Sequence, residues 1–362
     1  MLRRKFSDLT LCISYHINFL HDKAHMVKNL YKQYTILEEI GRGGFGIVYK
    51  AIRRSDGAAV AIKFIDHRHV RKWTVKHKKL IPMEIHLLEL CSGTPGAVQM
   101  IDWFTSSKGF IIVMERPELC LDLFDLISVY GPLEESLARF IFRQIVKTVH
   151  SLYINYGIFH RDIKDENIII NMQTGEAILV DFGAATLYSR TSRREFQGTR
   201  SYCPPEWFKR LEYRPLEATT WSLGIILFVM VTGYHPFQSE IQICLGRMKI
   251  PKQITKKCED LIRKCLTLAP ERRANFREIL DHPWLKEWIS IENEQFKTIL
   301  DRKLNNSIVN CQKNRNHRQQ STIKTNNQFS RETSLEAEID VYETIQRCSS
   351  ANDVADLPDA IM

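Results

Sequence analysis

The stretch that decides the fold is His160-Arg161-Asp162-Ile163-Lys164-Asp165-Glu166-Asn167, which runs directly into three isoleucines at 168–170. The isoleucine run predicts a buried strand. The segment Ile178-Leu179-Val180-Asp181-Phe182-Gly183 predicts a second strand that ends on an acid. Asp162, Asn167 and Asp181 therefore lie next to short predicted strands, where two carboxylates and one amide can face a common cleft.

A glycine-rich segment lies far upstream, at Gly41-Arg42-Gly43-Gly44-Phe45-Gly46. This spacing also occurs in dinucleotide-binding turns, but those require a helix directly after the glycines. Here the strand-forming residues Ile47-Val48-Tyr49-Lys50 follow, and then the turn Arg54-Ser55-Asp56-Gly57. The pattern predicts a hairpin whose tip, free of Cβ atoms, can approach phosphate oxygens closely. Taken alone, the motif is equally compatible with a plain glycine-rich hairpin.

The next predicted strand is Val60-Ala61-Ile62-Lys63. Period two places Ala61 and Lys63 on one face, where Ala61 leaves room for a flat base opposite Val48. Taken alone, Lys63 is better explained as a surface lysine on a strand. The following helix, expected to carry Pro82 in its first turn, supplies Glu84, whose carboxylate can hold the Lys63 ammonium in position. Carboxylates, an amide and lysines beneath a glycine hairpin are what phosphoryl transfer requires.

In this order, the motifs resemble those of the eukaryotic protein kinase family. The resemblance covers residues 34–288 and implies an α+β, bilobal fold. A small antiparallel β lobe with one key helix (34–115) and a larger, mainly helical lobe (118–288) would hold Mg²⁺ and ATP between them. By resemblance, Asp162 is the catalytic base, Lys164 contacts the transferred phosphate, and Asn167 and Asp181 bind magnesium. The ATP-binding residues implied are Ile40, Gly41, Arg42, Gly43, Gly44, Phe45, Gly46, Ile47, Val48, Ala61, Lys63, Glu84, Glu115 and Asp122.

Finer motifs resemble the Pim kinases, among them Glu115-Arg116-Pro117, Asp122-Leu123-Phe124-Asp125 and Pro204-Pro205-Glu206-Trp207. This resemblance implies a serine/threonine kinase that phosphorylates protein substrates with Arg or Lys upstream of the target residue. Asp122, Asp125 and Glu166 would bind those basic residues. Pim-like kinases also lack an acid two residues before Trp221, where this chain has Thr219. Glu206 is expected to pair with Arg273.

Two further expectations concern regulation and nucleotide affinity. The resemblance implies activity without activation-loop phosphorylation, because Glu195 in the loop 191–197 could pair permanently with Arg161. In the predicted hinge after Met114, Glu115 supplies a carbonyl to adenine, but the usual donor position falls on Pro117. Proline has no backbone N–H, so one hinge hydrogen bond should be missing.

The composition of the chain argues against several other classes of function. The formal net charge is +9, but no basic, aromatic-interleaved patch indicates nucleic acid. Apolar runs such as 223–231 are shorter than a membrane span, and the nine cysteines form no CxxC pair. We therefore expect a cytoplasmic or nuclear protein that binds neither nucleic acid nor membrane. The resemblance to the Pim kinases implies that it is a monomer.

The two ends of the chain fall outside the resemblance. Residues 1–33 are expected to form a poorly ordered or helical extension, and the polar segment 291–362 a largely disordered tail. Two rival functions remain open. One is a pseudokinase scaffold that binds partners through its lobes and tail, and the other is a docking protein that acts through the tail alone. The scaffold would be favoured by loss of Lys63, Asp162, Asn167 or Asp181, all of which are present.

Overall fold

The computed structural model describes residues 29–44, 46–76, 78–188, 198–287, 296 and 298–301. The amino-terminal lobe is built on a five-stranded antiparallel sheet in the order β1-β2-β3-β7-β6. Its strands are β1 (Tyr34–Gly43), β2 (Gly46–Arg53), β3 (Ala59–Asp66), β6 (Met100–Thr105) and β7 (Gly109–Glu115).

The two faces of this sheet follow from the period-two pattern of β3. Val60 and Ile62 pack into an apolar cluster on the outer face, which includes Phe104 and Val113. Ala61 and Lys63 point to the opposite face, as the sequence predicts. The glycine-rich segment joins β1 to β2 with Gly43 opposite Gly46, so it is the tip of a hairpin and not the start of a helix.

A second hairpin, β4 (Trp73–Lys76) and β5 (Lys79–Pro82), leads into helix α1 (Met83–Leu90). Pro82 was expected in the first helical turn, but it is the last residue of β5 and precedes the helix. Its φ of −56° suits the strand-to-helix transition, and α1 starts at Met83. Glu84 lies in the first turn of α1 and is buried.

The carboxy-terminal lobe is mainly helical. Its three short pairings are β10–β11, β10–β8 and β12–β9, all antiparallel. The strands are β8 (Cys120–Asp122), β9 (Ile158–Phe159), β10 (Ile168–Asn171), β11 (Ala177–Leu179) and β12 (Thr186–Leu187). The helices are α2 (Leu123–Tyr130), α3 (Glu135–Tyr156), α4 (Pro205–Arg210), α5 (Pro215–Thr232), α6 (Glu240–Leu245), α7 (Lys256–Cys265), α8 (Phe276–Leu280) and α9 (Pro283–Lys286).

Helix α5 forms the centre of this lobe. Its 18 residues have a mean hydropathy of 1.4, which by length and composition alone would suit a membrane span. However, 72% of the helix is buried inside the fold. Trp221 and Phe228 are fully buried, so the apolar character of α5 is explained by packing on every side.

The folded unit extends beyond both boundaries expected from sequence. Residues 29–33 are helical, and Leu30 is fully buried in the outer cluster of the first lobe. At the other end, Phe296 and Leu300 were assigned to the disordered tail, yet both are fully buried in the main core. The Phe296 ring lies 6.4 Å from that of Phe140. Residues 1–28 and 302–362 lie outside the described part of the chain.

Candidate active site

A cleft of about 480 Å³ lies between the sheet and the helical lobe, and its size is typical of sites for small ligands. The glycine hairpin covers it, β7 and the segment after it form the back, and β8, β10 and β11 form the floor. The predicted site residues that line it are Ile40, Gly41, Arg42, Gly43, Gly46, Val48, Ala61, Lys63, Glu115, Asp122, Lys164, Glu166, Asn167 and Asp181.

Of the other predicted residues that the structure describes, five do not line the cleft. Two of these, Glu84 and Asp162, lie beside it and contact the lining residues Lys63 and Asn167. Ile47 does not line the cleft, because it stands between Gly46 and Val48 on β2 and points to the other face. Gly44 lies at the exposed turn of the hairpin, near the guanidinium of Arg71. Phe45 falls outside the described residues. Asp125 is exposed on α2 and does not line the cleft.

Some lining residues were not assigned to the ATP site from sequence. These are Val98, Arg116, Cys120, Ile169, Ile178 and Val180, whereas the sequence already places Met114 and Pro117 at the hinge. Most are apolar residues in or next to a strand, and their composition does not distinguish a ligand-facing position from a core position. The period-two pattern of β10 and β11 could have indicated Ile169 and Ile178, since each faces away from its buried neighbours.

An ion triad closes the back of the cleft. Nζ of Lys63 lies 2.6 Å from Oε1 of Glu84 and 2.7 Å from Oδ1 of Asp181. Burial opposes charge on the Lys63 ammonium, yet the two carboxylates raise its pKa above the usual value. Burial raises the pKa of Glu84 to about 6 despite the lysine, whereas Lys63 holds the pKa of Asp181 below its usual value despite burial. The structure therefore brings together the lysine, the helix glutamate and the strand-end acid that the sequence singled out.

Asp162 and Asn167 form a second cluster on the floor. The Asn167 Nδ2 group donates to the backbone carbonyl of Asp162 at 2.8 Å and to its Oδ2 at 3.2 Å. Thr199 donates to Oδ1 of the same carboxylate from its backbone N–H and its hydroxyl. The side chains of Asp162 and Asn167 are both buried. The amide nitrogen of Asn167 is engaged with Asp162, which leaves its oxygen to face a cation.

Backbone conformations that side chains rarely adopt flank this cluster. Arg161 has φ +70° and Asp181 has φ +62°, both in the left-handed region. Asp181 is stabilised there because its Oδ1 accepts a hydrogen bond from the N–H of Gly183 at 3.2 Å. Such strain persists where surrounding structure fixes it, commonly at functional sites. Glu195, the expected partner of Arg161, lies outside the described residues.

An acidic surface surrounds the exit of the cleft. Asp122 caps the amino terminus of α2, where its Oδ1 accepts a hydrogen bond from the backbone N–H of Asp125 at 2.7 Å. Burial, together with the carboxylates of Asp125, Asp165 and Glu166, raises the pKa of Asp122 to about 6. Glu166 lies beside it, with its Oε2 2.7 Å from Nζ of Lys164.

A buried ion pair between Arg273 and Glu206 connects two segments of the helical lobe beneath the site. Arg273 donates two hydrogen bonds to Glu206, each of 2.9 Å, and its guanidinium lies 5.1 Å from the centre of the Trp221 ring. This is the pair expected from sequence. Thr219, at the position where an acid was missing, donates its hydroxyl to the carbonyl of Pro215 at 2.7 Å.

The oxygen donors in the cleft fit a magnesium ion shared with phosphates. Asp181 supplies a carboxylate and Asn167 an amide oxygen, ligands of the hard type that Mg²⁺ prefers. Among the described residues, no group of three or more His, Cys, Asp or Glu could hold a metal alone. Magnesium bound through one or two protein oxygens and substrate phosphates matches this arrangement.

Comparison with known proteins agrees with this geometry. The model of the protein kinase domain family matches residues 34–285. The chain is 46% identical over 260 residues to serine/threonine-protein kinase prk-2 of Caenorhabditis elegans, covering 71% of this chain and 59% of that protein. It is 40% identical over 303 residues to serine/threonine-protein kinase pim-2 of Danio rerio, covering 81% of this chain and 96% of that protein. The chain thus spans about three fifths of prk-2 and nearly all of pim-2.

Proposed function

The chain belongs to the protein kinase family, as a serine/threonine kinase of the Pim type, and we propose that it phosphorylates hydroxyls that follow basic residues without prior phosphorylation of its own activation loop. The family uses ATP and Mg²⁺. Lys63, Asn167 and Asp181 line one cleft, and Asp162 lies beside it in contact with Asn167; this arrangement argues for a catalytic protein and against a scaffold.

We assign a part in this reaction to four residues in and beside the cleft. When bound, Mg-ATP supplies the phosphoryl group and neutralises part of its charge. Asp162 lies where a carboxylate can accept the proton of a substrate hydroxyl and orient that hydroxyl. Glu84 holds Lys63 at the back of the cleft, where its ammonium can bind phosphate oxygens. Lys164, on the floor, adds a second positive charge for the transferred group.

The observation that carries the basic specificity is the acidic surface at the cleft exit. Burial raises the pKa of Asp122, and the nearby carboxylates of Asp125 and Glu166 add to this effect. A cluster of like charges is costly unless cations neutralise it, and arginine forms strong, charge-assisted hydrogen bonds to carboxylates. A basic residue upstream of the target serine would relieve this repulsion.

A positional peptide array tests the specificity. Purified full-length protein is incubated with ATP, magnesium and peptides in which each position around a fixed serine is varied. We expect Arg and Lys to be selected upstream of the serine and acidic residues to be rejected there. Equal or better phosphorylation of acidic peptides would contradict the proposal.

Independence from activation-loop phosphorylation rests on a different observation. The contacts of Lys63 with Glu84 and Asp181, at 2.6 and 2.7 Å, involve no residue of the loop 191–197. Thr199, just after the activation loop, holds Asp162 by two further hydrogen bonds. We expect protein that has been treated with phosphatase, and shown by mass spectrometry to carry no phosphate, to keep most of its activity. Loss of most of the activity after this treatment would exclude the idea.

A further inference from the structure

Two residues with different expected tasks are bound to each other on the floor of the cleft. Nζ of Lys164 lies 2.7 Å from Oε2 of Glu166. The Lys164 side chain is 20% exposed and that of Glu166 is 52% exposed. Both residues line the cleft. In the proposed reaction Lys164 binds the transferred phosphate. In the proposed basic specificity Glu166 binds an arginine of the substrate.

The ion pair between Lys164 and Glu166 is weak enough for a substrate arginine to replace the lysine. A partly exposed lysine–carboxylate pair stabilises a protein only weakly, because solvent screens it and both side chains must be ordered. A guanidinium can bind a carboxylate through two parallel hydrogen bonds, which an ammonium cannot do. An arginine that arrives at Glu166 can therefore displace Lys164 at little cost.

We propose that Glu166 couples substrate recognition to phosphoryl transfer: a substrate arginine takes over Glu166 and thereby releases the Lys164 ammonium to the transferred phosphate. This inference rests on the proposed basic specificity and adds a role in turnover to it. No bond to carbon, oxygen or phosphorus changes in the exchange. One ion pair is replaced by another, and Lys164 keeps its proton throughout.

The surroundings of Lys164 agree with this role. Burial acts to lower the pKa of its ammonium, but Glu166, Asp162 and Asp181 together raise the pKa above the usual value. When Lys164 leaves Glu166, Asp162 and Asp181 still act to raise the pKa of its ammonium. The other two acids of the exit surface differ from Glu166, since in the described part of the chain neither Asp122 nor Asp125 forms an ion pair with a lysine or arginine.

The coupling predicts where the preference for arginine appears. If Glu166 only captured the substrate, an upstream arginine would lower the KM for the peptide. If capture also frees Lys164, the arginine raises kcat as well, because more of the bound complexes have the lysine on the phosphate. Removal of the Glu166 charge should then have opposite effects on arginine-containing and neutral peptides.

The experiment compares two peptides that differ only in one upstream residue, Arg or Gln, the position being the one selected most strongly on the array. Steady-state kcat and KM are measured for the wild-type protein and for Glu166→Gln. We expect Glu166→Gln to lose the preference for arginine and to turn over the glutamine peptide faster than the wild type, by up to about fivefold for a weak surface pair. Glu166→Asp keeps the charge and should turn over the glutamine peptide more slowly than Glu166→Gln.

A matched control is Glu118→Gln, which removes one carboxylate from an exposed position beside the hinge, outside the cleft lining. This change should leave kcat for both peptides unaltered, and thermal unfolding confirms that each variant is folded. If the wild type selects arginine but Glu166→Gln does not accelerate the glutamine peptide, the coupling is overturned and the proposed specificity stands. If the wild type shows no preference between the peptides, both fail.

Discussion

Thr199 holds Asp162 through two hydrogen bonds to the same carboxylate oxygen, one from its backbone N–H at 3.0 Å and one from its hydroxyl at 3.1 Å. Asn167 donates to the other oxygen at 3.2 Å. The carboxylate proposed to orient the substrate hydroxyl is therefore fixed from two sides. Because Thr199 directly follows the activation loop, the position of that loop's end is linked to the geometry of the catalytic base.

Replacement of Thr199 by valine should lower kcat with little effect on the KM for ATP. The substitution removes the hydroxyl but keeps the backbone N–H, so one hydrogen bond to Asp162 is lost. A bond of about 1 kcal/mol corresponds to roughly a fivefold decrease in kcat if it acts in the transition state. Steady-state kinetics with a saturating peptide measures it. Thr199→Ser retains the hydroxyl and should remain close to the wild type; an equal loss in both variants would contradict the explanation.

Asp162→Asn and Asp181→Asn should separate turnover from nucleotide binding. Asp162 faces the substrate hydroxyl, so its amide variant should lose about 10²–10⁴-fold in kcat and bind Mg-ATP nearly as well as the wild type. Asp181 faces the metal and Lys63, so its variant should bind Mg-ATP more weakly as well. Titration calorimetry with Mg-ATP, together with a turnover assay, distinguishes the two. Near wild-type turnover by Asp162→Asn would show that the roles are assigned wrongly.

Pro117→Ala should lower the KM for ATP. Pro117 lines the cleft at the hinge and offers no N–H to adenine. Restoring the donor adds one neutral hydrogen bond, about 1 kcal/mol or roughly a fivefold gain in affinity. Inhibitors that accept a hydrogen bond from this position should tighten in parallel. Unchanged affinity for both, with the unfolding temperature preserved, would show that the missing donor has no effect.

Selection of basic peptides should weaken at low pH. Burial, assisted by nearby carboxylates, raises the pKa of Asp122 to about 6 even though the N–H of Asp125 acts to lower it. Asp122 is therefore mostly ionised and attracts arginine above this pKa, and is mostly neutral below it. We expect kcat/KM for an arginine peptide, relative to a neutral one, to increase from pH 5 to 7 with a midpoint near 6. Asp122→Asn should abolish this change; a persistent midpoint in the variant would assign it to another group.

Arg273→Met should destabilise the helical lobe strongly. The Arg273 side chain is fully buried, and its removal leaves Glu206 buried without a counter-charge. Breaking such a pair costs about 3–5 kcal/mol. Chemical denaturation measures the free energy of unfolding. The double variant Arg273→Met/Glu206→Leu should lose less than Arg273→Met alone, while Arg53→Met, at an exposed pair with Asp56, serves as a control with little change.

Much of the site was predictable because its residues lie in short, local motifs. The five-residue separation of Asp162 and Asn167, the glycine hairpin and the alternation around Lys63 each depend on neighbours in the chain. The pairing of Lys63 with Glu84 was also anticipated. The apolar lining was predicted only in part: Ile40, Val48 and Ala61 were expected, but Val98 and Val180 were not, since a valine in a cleft and a valine in the core look alike in sequence. Which face of a strand lines the cleft becomes clear only when the position of the opposite lobe is known.

The sequence by itself determined the chemistry of this protein: which carboxylates, amides and lysines are present, and in which order along the chain. The pairings of Lys63 with Glu84 and of Arg273 with Glu206 could be expected from the sequence, but other contacts were decided only by the tertiary structure. The tertiary structure brings Thr199 into hydrogen-bonding contact with Asp162 and pairs Lys164 with Glu166. It also buries Phe296 and Leu300 in the core, although the polar residues around these two predict disorder. The physical reason is that these hydrogen bonds, ion pairs and buried contacts depend on how the folded chain positions each side chain. The amino acids next to a residue in the sequence do not indicate which partner it will contact.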